Sequence, residues 1–306
     1  VSTAMGTSMG TVAAITPIAL GVAAQTSIEV PVLMGVVLGG AMFGDNLSFI
    51  SDTTIAATST QGCKLSDKFR VNAFITIPPA IVILALYAVL GHGIEAPGNI
   101  PEVQYAKVIP YIVVLVTALL GMNVMAVLTV GIMLTGAIGI ADGAFDVFGW
   151  MQSMGKGIAD MGELIIITMM AGGMLELIKE KGGIDCIING ITRHVNGKRG
   201  AELSIAALVS LVNVCTANNT VAIITVGGIA KRIGDRFGID SRKSASILDT
   251  MSCCTQGLIP YGAQILMGAG LASINPVSIM PYLYYPAAIG IAAVLAILFR
   301  YPRRFS

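Results

Sequence analysis

Long apolar runs separated by short clusters of charge set the rhythm of this chain. No Asp, Glu, Lys or Arg occurs from Val1 to Ile28, Val71 to Gly91, Val108 to Ala141, Leu203 to Ala230 or Thr250 to Phe299. Each run reaches the roughly 18 residues that a helix needs to cross a bilayer. The pattern predicts an apolar arm over Val1–Ala24, a segment over Pro31–Gln61 interrupted at Gly44–Ser48 (GDNLS), and a span over Val71–Gly91. Val108–Ala141 is too long for one ordinary span, and Gly121 and Asn123 offer a turn that divides it. A span over Leu164–Lys179 and an amphipathic interfacial helix over Gly183–His194 follow. Ala201–Ile233 is interrupted by CTANN and Arg242–Ser273 by TQGLIPYG, and Pro281–Phe299 is a last span with Tyr282, Tyr284 and Tyr285 as an aromatic belt.

Composition turns this pattern into a class. Of 306 residues, 55% are apolar and only 11% charged, less than half the charge of a soluble domain, which is about 25%. The chain is expected to be an all-α polytopic membrane protein with the lipid bilayer as its partner. A net charge of +1 gives no face able to neutralise many phosphates, so no nucleic-acid partner is expected. The five cysteines form no CxxC or Cys/His ligand pattern, and no cofactor is expected.

Charge also orients the chain. Taking Ala201–Ile233 as a re-entrant hairpin puts the loops around 61–71, 179–200, 231–243 and 300–306 on one face. They hold 16 of the 18 basic residues, Lys68 and Lys243 among them, with only Lys107 and Lys156 opposite. The positive-inside rule makes that face cytoplasmic, and a multi-pass protein of a plasma membrane is expected.

Two places pair a polar hairpin tip with a later break in an apolar helix. The first pair is Ser2–Thr11 and Gly44–Thr54, the second Cys215–Thr220 and Leu248–Gln264. A register that lays Thr3 on Thr216 and Thr7 on Thr220 superposes both pairs without a gap. The loop Gln25–Val30 has no basic residue and Asp235–Lys243 is basic, so the two units are expected to be inverted, as in secondary transporters built from discontinuous helices. Residues 1–104 read as the later part of one repeat and 105–306 as the second. The whole stretch Tyr105–Cys215 leads up to the second tip within its repeat, and nothing comparable leads up to the first. The chain is therefore expected to be a fragment lacking N-terminal spans.

The candidate chemistry lies at the breaks. A carboxylate at the bilayer centre costs about 2.5–3.5 kcal/mol, so it pairs, binds a cation or protonates. Desolvation favours its neutral form and a bound cation its ionised form, and that coupling is proton/cation exchange. Asp45 and Asp52 would share one face of a continuous helix, two turns apart; Asp249 reads equally as a functional group or as a helix start. Neutral oxygens for hard cations are available at Thr3, Thr7, Asn46, Ser48, Ser51, Thr53, Thr54, Thr216, Asn218, Asn219, Thr220, Gln256 and Gln264. The competing reading is that such side chains glue transmembrane helices together.

The segments GTSMGT (Gly6–Thr11), GDNLSFISDTT (Gly44–Thr54) and LIPY (Leu258–Tyr261) resemble the signatures of the NhaC-type Na⁺/H⁺ antiporters. Met9 stands where the family has Trp, Phe49 where it has Pro, and Tyr261 where it has Trp. The resemblance implies a secondary transporter exchanging Na⁺ or Li⁺ for H⁺ by alternating access, with the residues above around the cation. A homodimer is left open. A Na⁺-coupled organic-acid exchanger of the malate/lactate type is the alternative; it would want a cationic anion site, and no Lys or Arg falls inside a predicted span. An intramembrane aspartyl protease using Asp45 and Asp249 is a remote alternative, because its YD and GxGD contexts are absent. No GxxxxGK[ST] loop supports an ATP-driven pump, and no span carries a His for a hydrolase. The protein is not expected to be an enzyme.

Overall fold

The computed structural model describes residues 1–48, 51–92, 105–120, 122, 124–160, 162–183, 186, 190–191 and 197–302, and every regular element among them is helical. The order is α1 (Ser2–Met5), α2 (Ser8–Gln25), α3 (Val30–Leu47), α4 (Asp52–Gln61), α5 (Leu65–Leu90), α6 (Tyr105–Leu119), α7 (Val124–Ala141), α8 (Val147–Asp160) and α9 (Gly162–Glu180). Then come α10 (Gly197–Thr216), α11 (Asn219–Phe237), α12 (Ser241–Gln256), α13 (Ala263–Ala272), α14 (Pro276–Ile279), a 3₁₀ turn at Met280–Tyr282 and α15 (Tyr284–Leu298).

Among the described residues, Ser8–Gln25, Val30–Gln61, Leu65–Leu90 and Gly197–Thr216 are long and apolar enough to cross a membrane. Ala263–Ala272 and Pro276–Tyr282, bent by 103°, are apolar enough to do so only if taken together as one broken span. The chain is an all-α, multi-pass membrane protein. α6 and α7 divide the long apolar run between Leu119 and Val124; the predicted turn residues Gly121 and Asn123 lie outside the described residues, as does most of the predicted interfacial helix Gly183–His194.

The same succession of backbone features occurs twice. Gly6 (φ 67°) and Ala217 (φ 48°) both turn left-handed at the tips, and each is followed by an extended N-cap, Thr7 and Asn218. Glu29 and Asp240 are N-caps with φ/ψ of −65°/137° and −61°/131°, and Ser51 and Gly262 are N-caps at −63°/138° and −65°/139°. Both helices after the breaks, α4 and α13, have 10 residues and end in left-handed caps at Gly62 and Ser273. Even a tertiary hydrogen bond repeats: Ser2 Oγ donates to the Ala41 carbonyl at 2.8 Å, and Asn213 Nδ2 to the Ser252 carbonyl at 2.7 Å. Backbone geometry thus lays Thr7 on Asn218, two positions away from the sequence-based register. The identities Thr3/Thr216 and Thr7/Thr220 favour that other register, but they are matches of residue type and carry no backbone conformation.

The helices after the breaks pack on the arms that follow the hairpin tips: α4 packs on α11, and α13 packs on α2. Lipid tails are as apolar as Leu, so these helices are held by close packing and hydrogen bonds more than by exclusion from water. Close approach needs glycine where backbones meet: a Cβ built on Gly44 would lie 2.0 Å from Ser2 Cβ, and one on Gly227 2.5 Å from Thr60 Cβ.

The loops fall into two groups. Gly62, Cys63, Lys64 and Asp67 line one polar pocket of about 480 Å³ with Asp240, Ser241 and Arg242. Lys198 and Arg300 lie within electrostatic reach of Glu202, and Lys243 Nζ donates to the Tyr301 carbonyl. Val30, Leu33, Ala272, Ile274 and Leu283 instead share a separate apolar cluster.

Three sequence expectations need correction. α3 runs through Gly44, Asp45 and Asn46 to Leu47, and the chain becomes helical again at Asp52 in α4. The break therefore starts at Ser48, the last residue of the expected interruption and inside the Gly44–Thr54 segment, so Gly44–Leu47 stay helical and no continuous helix joins Asp45 to Asp52. Asp249 lies in the middle of α12, not at a helix start. Lys68 and Lys243 are helical and fully buried, so two of the basic residues assigned to loops lie inside the protein, and α5 begins at Leu65, ahead of the predicted span.

Candidate cation site at the helix breaks

The end of α3 leaves its last four carbonyls without intrahelical partners, and the dipole makes that end partly negative. The sequence answers with donors from α5. Asn72 Nδ2 donates to the Asn46 carbonyl at 2.9 Å and Lys68 Nζ to the same carbonyl at 3.3 Å. Thr54, in the first turn of α4, sends its hydroxyl towards the Asp45 carbonyl at 3.5 Å. At 1.5 Å per residue, the 10 residues of α4 place the break about 15 Å from the loop at Gly62, half of a ~30 Å hydrocarbon core.

Lys68 is the centre of this network. Its ammonium lies 2.6 Å from Asp249 Oδ2 and 2.6 Å from Thr54 Oγ1, with both ion-pair side chains at 0% exposure. Asn72 Nδ2 also donates to Asp249 Oδ2, at 2.8 Å. The expectation that basic residues stay out of the membrane-embedded core is thus overturned. Charge counting groups Lys68 with Lys64 and Arg70, which are indeed exposed. The signal that could have found it is spacing: Lys68, Asn72 and Thr76 recur every four residues, one polar stripe entering an otherwise apolar helix.

A second chain of contacts runs from the other break. Gln256, the last residue of α12, donates through Nε2 to the Ala217 carbonyl at the hairpin tip (3.0 Å) and to Gln264 Oε1 (2.8 Å). Gln264 Nε2 donates to Ser8 Oγ at 3.0 Å, and Ser8, through hydroxyl and backbone N–H, faces Asp45. Asp45 is 1% exposed, within electrostatic reach of both Asp249 and Asp52.

Asp52 behaves differently. It is exposed, accepts from the Thr53 N–H at 2.9 Å and from Thr220 Oγ1 at 2.8 Å, and so joins the N-termini of α4 and α11. Ser51 and Thr53 share a 2.7 Å hydroxyl contact beside it.

The remaining candidates divide by burial. Ser48 Oγ donates to the Thr3 carbonyl at 2.9 Å, and Thr3 itself is exposed. Thr7 accepts from Thr11 at its carbonyl (2.9 Å). Asn218 is exposed and caps α11 by accepting from the Val221 N–H at 3.0 Å. Thr216 Oγ1 donates to the Asn218 carbonyl at 3.0 Å; buried Asn219 accepts from the Thr220 N–H at 3.1 Å. The side chains of Thr3 and Asn218 are therefore poor candidates for a buried ligand set. Asn213, on α10, is a buried polar residue absent from the sequence-derived candidates.

Buried polar atoms normally have partners, and each exception calls for an explanation. Asp45 Oδ1, Asn46 Oδ1, Asn72 Oδ1, Asn213 Oδ1, Asp249 Oδ1 and Gln256 Oε1 are buried acceptors without a hydrogen-bond partner. They come from α3, α5, α10 and α12; Glu202 Oε2, near the start of α10 and away from the breaks, is a further unpartnered carboxylate oxygen. Carboxylate and amide oxygens with no donor are what a hard cation takes as ligands.

The sequence is similar to those of known antiporters. The chain is 24% identical to the malate-2H⁺/Na⁺-lactate antiporter of Bacillus subtilis, over 99% of this chain and 71% of that protein. It is 26% identical to the Na⁺/H⁺ antiporter NhaC of Alkalihalophilus pseudofirmus, over 98% of this chain and 71% of that protein. It is 23% identical to the arginine/ornithine antiporter ArcD of Halobacterium salinarum, over 93% and 66% respectively. The sequence profile of the Na⁺/H⁺ antiporter family matches residues 1–92 and 99–302, and the chain belongs to that family.

Proposed function

We propose that the protein exchanges Na⁺ or Li⁺ for H⁺ across a bacterial plasma membrane by alternating access, with Asp45 as the carboxylate that holds either the proton or the cation. The observation that carries this reading is the setting of Asp45: a buried carboxylate with an unpartnered oxygen near the end of a broken helix, next in sequence to the unpartnered Asn46 Oδ1 and linked through Ser8 and Gln264 to Gln256 at the other break. A buried group left unsatisfied costs about 1–3 kcal/mol, and a bound cation or proton removes that cost.

The repeat supports alternating access if it is inverted, and loop placement argues that it is. Cys63 lines a pocket with Asp240, while Val30 clusters with Ile274. In the backbone register Glu29 matches Asp240 and Gly62 matches Ser273, and this difference in the company the matching loops keep supports an inverted arrangement. Residues 1–104 and 105–306 are then the working halves, meeting where each hairpin tip abuts the other half's break.

The relatives named for malate, lactate, arginine and ornithine raise a second substrate class. Among the described residues, Lys68 is the buried cation nearest the breaks, but its ammonium already has three acceptors, which favours a cation site over an anion site. Proteoliposomes with an imposed pH gradient test this through acridine-orange fluorescence. NaCl or LiCl is expected to dissipate the gradient with no organic acid or amino acid present. Dissipation that occurs only when malate, lactate or arginine is added would overturn the proposal in favour of organic exchange.

A further inference from the structure

The backbone register exposes an asymmetry at the site. Lys68, Asn72 and Asp249 correspond to Ile279, Leu283 and Leu38, and these three are buried together in one apolar cluster. Two equivalent contacts, each joining one half to the other, are thus built differently: one from Leu38 and Ile279, the other from an ion pair. Replacing a buried ion pair by apolar residues of similar size is often neutral or stabilising, so the fold has no need of the charges.

Lys68 also points the wrong way for an ordinary interfacial lysine. It lies in the first turn of α5, close to the exposed loop, and could snorkel outward. It reaches inward instead, and its three donors meet three acceptors: Asp249 Oδ2, Thr54 Oγ1 and the Asn46 carbonyl at the negative end of α3. Those are the oxygens a free cation would take beside Asp249.

From this geometry we infer that Lys68 is a tethered cation occupying the second of two cation positions, a positioning residue that fixes how many Na⁺ ions the site holds. The inference rests on the reading of Asp45 as the exchanging carboxylate. Two buried carboxylates lie within electrostatic reach of each other, and Lys68 neutralises one, which leaves a single uncompensated negative charge for a single free ion. Removing the ammonium opens the Asp249 oxygens, with the carbonyl and hydroxyl that held it, to a second Na⁺.

Binding of ²²Na⁺ to the purified intact protein in detergent counts the ions directly. Wild type is expected to bind one Na⁺, Lys68→Ala two, and Lys68→Ala/Asp249→Asn one again. Two ions in wild type, or one in folded Lys68→Ala, would overturn the inference while leaving Asp45 as a cation site. No Na⁺ bound by wild type would overturn both. If Lys68→Ala cannot be purified, the wild-type count still decides, since only one ion is compatible with a lysine seated in the second position.

Discussion

Replacing Lys68 by Ile strips Asp249 of its ion-pair partner and leaves the carboxylate buried with the Asn72 amide alone. Breaking a buried pair from one side costs about 3–5 kcal/mol, because the remaining charge is uncompensated. The double variant Lys68→Ile/Asp249→Leu installs the residue types that already pack at the equivalent contact, Ile279 and Leu38. It is expected at or above wild-type stability. At about 2–4 °C per kcal/mol for a larger domain, Lys68→Ile should melt roughly 6–20 °C below wild type in detergent without sodium. The double variant should recover that loss. Heating followed by size-exclusion chromatography reads both. A single variant melting with wild type, or a double variant as unstable as the single, would refute the view that this pair is a charged substitute for an apolar contact.

Other outcomes follow from the same geometry. Gly44→Ala would set a methyl 2.0 Å from Ser2 Cβ, forcing α1 away and breaking the Ser2–Ala41 bond; overpacking plus a lost hydrogen bond should cost about 2–4 kcal/mol, read as a lower melting temperature. Asp52→Asn keeps an oxygen able to accept from Thr53 N–H or Thr220, so transport should weaken in Na⁺ KM but persist; complete loss would make Asp52 an ion ligand. Asp240 is held below the usual carboxylate range first by the Arg242 side chain and also by the Arg242 backbone N–H. Its contribution is full above the unfolded value of about 3.9 and disappears as pH falls through the lowered folded value. Asp240→Ala should therefore cost about 1 kcal/mol of helix capping at pH 7, with the difference in melting temperature narrowing as the medium is acidified through that range.

Much of this is legible in the residues, and the misses share a cause. The apolar runs locate the hairpins and the second break, because the absence of charge over roughly 18 or more residues has few other meanings. The break in the first half reads too early because Gly44 and Asn46 look like turn formers. In the structure Gly44 serves close packing against Ser2, and Asn46 bonds back to the Met42 carbonyl at 3.1 Å within the helix. Lys68 and Lys243 fall in with their exposed neighbours because a charge count along the chain has no depth coordinate. Asp45 stands out as an acid in an apolar run. Its separation from Asp52 by a helix break, and the pairing of Lys68 on α5 with Asp249 on α12, are tertiary facts that no local pattern encodes.

Asp45 carries the central claim, and uptake of ²²Na⁺ into acid-loaded proteoliposomes tests it most directly. The reading predicts uptake by wild type driven by the outward proton gradient and abolished in Asp45→Asn, which keeps the side chain's shape but removes the exchangeable charge. Wild-type rates in Asp45→Asn would contradict it.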